Sequence, residues 1–430
     1  MSSALILLLG LLGLCPVIVT LDGSLLPYLI TFLLAAGLIL VSVNLPLREA
    51  QHLSEVLSRP FVLVAIFPAV LMIIQLLPLP FLAHPVWKSV SPGFRSGITG
   101  SISVNIGATA IALVHYLSAA GMVLLTAAVA INRERAESVL IGITAAAAVI
   151  SFASLLQDLL LQDLFGITIL AHREAALDIA CLGVPLSAAS GLLVFERHET
   201  RGAFTVHAKR KFLFASFAAL TSFVICTSAI AMTRSGSLII AAGAGLLTFI
   251  AVVAIRRWAL GRLGAAAIGI TAAVFAATLV TVAASDQDPR FAFVKKDPAT
   301  IELSQRILND APFFGDGAGT FGDLLPIYQS SNADSRNTQA VTSAALLSIE
   351  MGKVMLWFAV LAASFAAFQL LHGASHRGRD SFYAAVAGAC LVTLMILAFI
   401  SAYLSGPGVV LLSAAIIGLG LTQSKSRFAS

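Results

Sequence analysis

His172, Arg173 and Arg234 carry reactive or charged side chains at the edges of long apolar runs, Glu350 stands within one, and Arg306 lies in the polar stretch between two. A guanidinium stays protonated and presents a planar fork of donors. Two or three together can grip phosphate oxygens and stabilise the charge that gathers on a departing phosphate, in place of a divalent cation. Near a protein surface, a charge pair about 4 Å apart gains roughly 4 kcal/mol before desolvation. His172, whose unperturbed pKa is about 6.5, and Glu350 are candidates for a base that takes the proton of an attacking hydroxyl. This set calls for no cofactor and no metal. Each residue also has a plainer role. Arg234, in the stretch AMTRSGSLII, can anchor a helix end at the lipid–water boundary by snorkelling. Arg306 has Glu302 four residues before it, the spacing of an ordinary surface pair on a helix. Arg173 sits with His172 and Glu174 in what can be a solvated cluster, a lone histidine is often a local hydrogen-bonding residue, and Glu350 can simply tie helices together.

Membrane helices have to position these side chains. The chain has 430 residues, 59% hydrophobic and 11% charged, where soluble proteins carry about 25% charged residues. Soluble cores stop growing near roughly 250–300 residues, so lipid must cover the remaining apolar surface. Runs of spanning length fall near 4–21, 25–43, 60–78, 107–131, 138–157, 176–195, 212–232, 236–255, 263–284, 340–371, 382–403 and 408–422, about twelve in all. The fold class expected is all-α, a polytopic transmembrane bundle. It divides into 1–284 with about nine spans, a loop over 285–339, and 340–430 with about three spans and a tail. The opening MSSALILLLGLLGLCPVIVT lacks a basic n-region and a cleavage site, and reads as a retained first helix. Cys15, Cys181, Cys226 and Cys390 lie inside apolar runs without CxxC spacing, which suits packing rather than disulfides or zinc.

A net charge of +5 does not point to nucleic acid, because the basic residues sit in short loops between spans. Arg48, Arg59, Arg133, Arg135, Arg197, Arg201, Lys209, Arg210, Lys211, Arg256, Arg257, Arg262, Arg377, Arg379, Lys425 and Arg427 share one side. The positive-inside rule makes that side cytoplasmic, with both termini. Arg234 and the long loop then face outward, together with the moderate loops near 79–106 and 158–175. In the long loop, Asp297-Pro298 is an N-cap and first-turn pair, and Ile301, Ile307 and Leu308 recur at helical spacing until Pro312. A glycine-rich turn, FFGDGAGTFGD, follows. Gly317, Gly319 and Gly322 fit GxGxxG by letter, but no strand, helix and downstream acid frame them as a dinucleotide site requires. No P-loop, EF-hand, HExxH or GxSxG pattern is present either. Phe291, Phe293, Phe313, Phe314, Phe321 and Tyr328 can stack on sugar rings or pack the loop onto the bundle.

The order TRSGSL between two spans, then RILNDAPFFGDGAGTF, then ALLSIEMGKVML leading into the next span resembles the O-antigen ligase and polymerase superfamily, which includes Wzy-type polysaccharide polymerases and lipopolysaccharide ligases. GSISVNIGATAIALVHYL and AHREAALDIACLGVPL take the places of two further family segments. The resemblance implies a GT-C-like membrane fold at the bacterial inner membrane, with Arg234 and Arg306 matching the family's diphosphate-binding arginines and Glu350 matching a family acid. It also implies metal-independent transfer of glycan from an undecaprenyl diphosphate donor to an acceptor glycan at the periplasmic face, alongside a flippase and chain-length regulators. Val341 and Thr342 stand where ligases carry His-Asn, and the NPN pattern is replaced around His172 and Arg173. Those departures favour a polymerase over a ligase that would deliver glycan to lipid A-core. Two roles outside this chemistry also fit a chain of this kind: a transporter of lipid-linked glycan, and a non-catalytic membrane partner in polysaccharide assembly.

Overall fold

The computed structural model describes residues 1–21, 25–57, 59–90, 99–161, 170–201, 206–257, 298–328, 340–376 and 380–424. The span expected at 263–284, the N-cap Asp297, and Phe291 and Phe293 lie outside them. Every described element is helical: α1 (Ser2–Thr20), α2 (Leu26–Asn44), α3 (Leu47–Val56), α4 (Arg59–Leu76), α5 (Pro85–Val90), α6 (Ile106–Val129), α7 (Arg133–Leu156, continued by a π turn over Gln157–Leu161), α8 (Arg173–Arg201), α9 (Val206–Met232), α10 (Gly236–Arg257), α11 (Pro298–Asp310), α12 (Phe321–Tyr328), α13 (Ser343–Met351), α14 (Lys353–His376), α15 (Ser381–Ala398) and α16 (Pro407–Ser424). Among the described residues, ten helices are long and apolar enough to cross a membrane, or eleven if α3 and α4, bent by 73°, count as one broken span. The chain is a multi-pass membrane protein.

The bundle has a dry centre and a lipid-facing ring. In the apolar stretches of α8, α15 and α16, 78% of residues are buried, against 22% in α2 and 17% in α9, so the first three form the axis. Small residues let these helices meet closely. A Cβ added at Gly420 would stand 2.2 Å from that of Ala387 on α15, and one at Gly418 would stand 2.5 Å from the Val123 carbonyl on α6. The four cysteines are buried and unpaired in disulfides, as packing residues would be. At one end of the bundle, several arginines assigned to one side by sequence are tied down by acids. Arg133 pairs with Asp380, Arg135 with Glu49, Arg197 with Glu137, and Arg256 with Glu196.

The opposite end departs from the sequence reading in one respect. The single span expected over 340–371 is two helices, α13 and α14, broken at Gly352 with φ 89°. The cause is tertiary. The Asp316 and Gly317 N–H groups donate to the carbonyls of Ile349 and Glu350, satisfying groups that a continuous helix would have bonded itself. A Cβ at Gly352 would lie 2.1 Å from the Phe313 carbonyl. The glycine-rich turn is therefore wedged into the break. The amphipathic helix expected before it is present as α11, with Ile307 and Leu308 buried.

Candidate functional site

The glycine-rich turn is a folded plug built around Glu350. Gly315, Gly317 and Gly319 all have positive φ, at 72°, 115° and 78°, a region only glycine enters without strain. Three of the turn's later N–H groups, those of Ala318, Gly319 and Phe321, point at side chains. Ala318 donates to Gln75 Oε1 at 3.1 Å, Phe321 donates to Glu350 Oε1 at 3.3 Å, and the Gly319 N–H also bonds that carboxylate. Gln75, fully buried in the last turn of α4, donates to the carbonyls of Phe314 and Glu350 at 2.8 and 2.9 Å. The other side of the turn is held by Thr109 Oγ1, which donates to the Ala318 carbonyl at 2.9 Å, and by His84 Nε2, 3.3 Å from Asp316. Asn105 caps α6 with its side-chain oxygen and donates to Asp323 on α12 at 2.9 Å.

A loop whose amides are consumed in this way is no empty phosphate cradle. The Glu350 carboxylate itself fills the anion seat that Gly319 and the first turn of α12 offer. Burial nevertheless dominates over those two hydrogen bonds and pushes its pKa up from 4.5 to about 7. Glu350 thus shares its proton with neutral-pH solvent, the condition that suits a general base.

Three adjoining cavities lie at this end. Glu350 lines one of about 390 Å³, mostly apolar, with Met72, Ala112 and Met395 among its walls. His172 lines a second of about 260 Å³ with Phe321 and Tyr403, and shares the third, about 540 Å³, with His115 of α6. The segment 399–406, whose Ser405 borders all three, is pinned from inside the bundle. Asp178, buried within α8, accepts from Ser401 Oγ at 2.6 Å, and the Ser401 carbonyl receives both the N–H and the hydroxyl of Ser343 at the start of α13. A carboxylate inside a spanning helix is costly unless paired. Here it fixes the segment that separates the cavities and the helix that carries Glu350.

The arginines take other positions. Arg306 Nη2 bonds Glu302 Oε1 at 2.6 Å, with both side chains about two-thirds exposed at 65% and 64%. Arg173 bonds Asp158 at 2.8 Å, at the end of α7's π turn. Arg234 is exposed in the short α9–α10 connection, in a left-handed conformation with φ 49°. None of the three lines any of these cavities. The structure brings His172 and Glu350 to neighbouring cavities and joins no two of the arginines by an ion-pair partner. Replacing Arg306 with alanine should change thermal stability by no more than a few tenths of a kcal/mol, as for exposed pairs at this spacing, which a melting curve in detergent checks.

No protein-family model matches this chain, and no curated protein does. Among the described residues, no three His, Cys, Asp or Glu side chains gather as a metal site. Of the aromatics considered for sugar stacking, Phe321 is buried at the cavity wall, while Phe313 is exposed and packs edge-on against Phe314. Tyr328 is held by Asp310, which together with burial pushes its hydroxyl pKa up to about 12. The sequence reading missed Gln75, Asp178 and His115. Each is a polar residue inside an apolar run, in IIQLLP, ALDIAC and LVHYLS, and that interruption was the available signal.

Proposed function

We propose that this chain is a membrane glycosyltransferase of the polysaccharide-polymerase kind. It would move a growing glycan from an undecaprenyl diphosphate carrier to the hydroxyl of an acceptor glycan, at the periplasmic face of a bacterial inner membrane. The fold would be GT-C-like, with about twelve spans and cytoplasmic termini. One observation carries the reading: a carboxyl group with a pKa of about 7, steadied by the Gly319 and Phe321 amides, faces a cavity at the end of a membrane bundle. In the transfer, Glu350 takes the acceptor hydroxyl's proton, the freed oxygen bonds to the anomeric carbon, and the bond from that carbon to the diphosphate breaks, the electron pair leaving with the phosphate oxygen. The arginine clamp expected from the resemblance lacks comparable support, since Arg306 is engaged by Glu302 and neither Arg173 nor Arg234 reaches the cavities.

A polymerase is preferred to a ligase because the positions of the ligase His-Asn pair are structural here. Val341 is fully buried, and Thr342 caps α13 by accepting from the Ala345 N–H at 3.1 Å. A non-catalytic partner in an assembly complex is favoured by the local pairing of Arg173 and Arg306. A deletion strain decides among these. The expected result is loss of polymer with accumulation of lipid-linked single repeats, restored by the wild-type gene and not by Glu350→Gln. Intact polymer that fails to join lipid A would assign a ligase instead, and full restoration by Glu350→Gln would leave the non-catalytic reading standing.

A further inference from the structure

The largest of the three cavities, about 540 Å³, is walled by Ile18 of α1, Pro27 and Ile30 of α2, and Val410 and Leu411 of α16. Its polar groups are of one kind. His115 and His172 reach it from two unconnected segments, and Thr31, Ser118 and Ser405 add hydroxyls, with no carboxylate among its described lining residues. Thr31 and Ser118 bond each other at 3.1 Å across the α2–α6 contact. His172 packs against the Tyr403 ring, centroids 5.6 Å apart, which restrains the imidazole.

His115 lies one turn before Ser118 on α6, and the Thr31–Ser118 bond sets it level with the start of α2. A histidine within an apolar spanning helix is rare unless it faces a polar ligand or water-filled space. An imidazole donates from N–H when neutral and becomes a cation when an anion draws a proton to it. The neighbouring cavity is the electrostatic opposite, because Glu350 lines it and already fills the turn's anion seat. An oxyanion placed there would meet a carboxylate.

We infer that the cavity between α1, α2, α6 and α16 binds an amphiphile, its oxyanion-bearing head held by His115 and His172 and its apolar tail lying along Ile18, Ile30 and Leu411. On the transferase reading, this is where the donor's phosphate head rests while the neutral acceptor hydroxyl enters beside Glu350. The inference places the head on imidazoles, and none of the three arginines lines this cavity.

The full chain in nanodiscs, titrated calorimetrically with farnesyl diphosphate, farnesol and inorganic diphosphate, tests it. Farnesyl diphosphate should bind at least about tenfold more tightly than either fragment, since only it has both head and tail. His115→Gln and His172→Gln should each weaken its binding by about tenfold, the loss of one charge-assisted contact. Ala119→Leu, which fills the cavity one helical turn along α6 from His115, should weaken it as well, and His372→Gln, at the other end of the bundle, should not. Inorganic diphosphate binding as tightly as the amphiphile, or wild-type affinity in the two histidine variants and in Ala119→Leu, overturns the inference. Because binding needs no turnover, the two readings fail separately. Lost binding with polymer synthesis intact removes the site alone, and intact binding with synthesis unaffected by Glu350→Gln removes the transferase mechanism alone.

Discussion

On the proposed transferase reading, Glu350→Gln is expected to reduce glycan transfer by about 10²–10⁴-fold, the usual contribution of a general base, and at the same time to make the protein more resistant to heat at pH 8. Both effects come from one fact, the rise of the Glu350 pKa from 4.5 to about 7. Between those values the folded protein holds a proton that the unfolded chain has released. Stability therefore falls as pH rises through the window and is level above it. At one pKa unit per 1.36 kcal/mol, the folded protein gives up on the order of 3 kcal/mol on ionising Glu350. Glutamine keeps an oxygen for the Phe321 N–H and never ionises. Melting temperatures of variant and wild type should agree near pH 4.5 and separate as pH rises toward 8, with the variant higher. Wild-type transfer should rise with pH through about 7, as the base form accumulates. A variant less stable than wild type at pH 8 would show that the ionised carboxylate is an anchor and not a strained base.

The second large effect is Gly352→Ala. Alanine there adopts a positive φ near 89° and thrusts its Cβ to 2.1 Å from the Phe313 carbonyl. Backbone strain of this kind costs about 1–3 kcal/mol, before any shift forced on the neighbouring carbonyl. The turn must back out of the α13–α14 break. The Asp316 and Gly317 amides then lose their acceptors, and the Glu350 carboxylate loses its seat. A total loss of about 3 kcal/mol or more is expected, read as a lower melting temperature and as new proteolytic cleavage within 311–320. Gly322→Ala is the contrast. That glycine completes GxGxxG by letter, yet it sits in α12 with nothing within 4 Å of an added Cβ. Alanine should be neutral there, or stabilising by up to about 1 kcal/mol from helix propensity. Equal losses at both positions would refute the account of the turn as a conformational plug.

What could be read from residues alone was whatever local pattern governs. The long apolar runs became α1, α2, α6 to α10, α15 and α16 within about six residues of their expected bounds, because a run of that length leaves the backbone little choice but a helix. Ile301, Ile307 and Leu308 gave α11 by their spacing. Glu302 and Arg306, four residues apart, gave the pair that is found. The break at Gly352 was not legible. Residues 340–371 are predominantly apolar, and only the glycine turn arriving from some thirty-five residues upstream, as the chain numbers show, makes a broken helix the better way to satisfy the carbonyls of Ile349 and Glu350.

The same division holds for the candidate site. His172 and Glu350 could be singled out by type, but their places beside adjoining cavities depend on the segment 399–406 and on the Asp178–Ser401 bond that pins it. Three arginines at span or helix edges looked alike in the sequence, and their surroundings in space separate them: Asp158 for Arg173, Glu302 for Arg306, and open exposure for Arg234. By itself the sequence determined that the chain is a many-helix membrane protein, because hydrophobicity and helical period act over a few turns. Only the tertiary structure decided that a carboxylate occupies the anion seat of the glycine turn and that two histidines share a cavity, because burial and electrostatic partners are set by residues hundreds of positions apart.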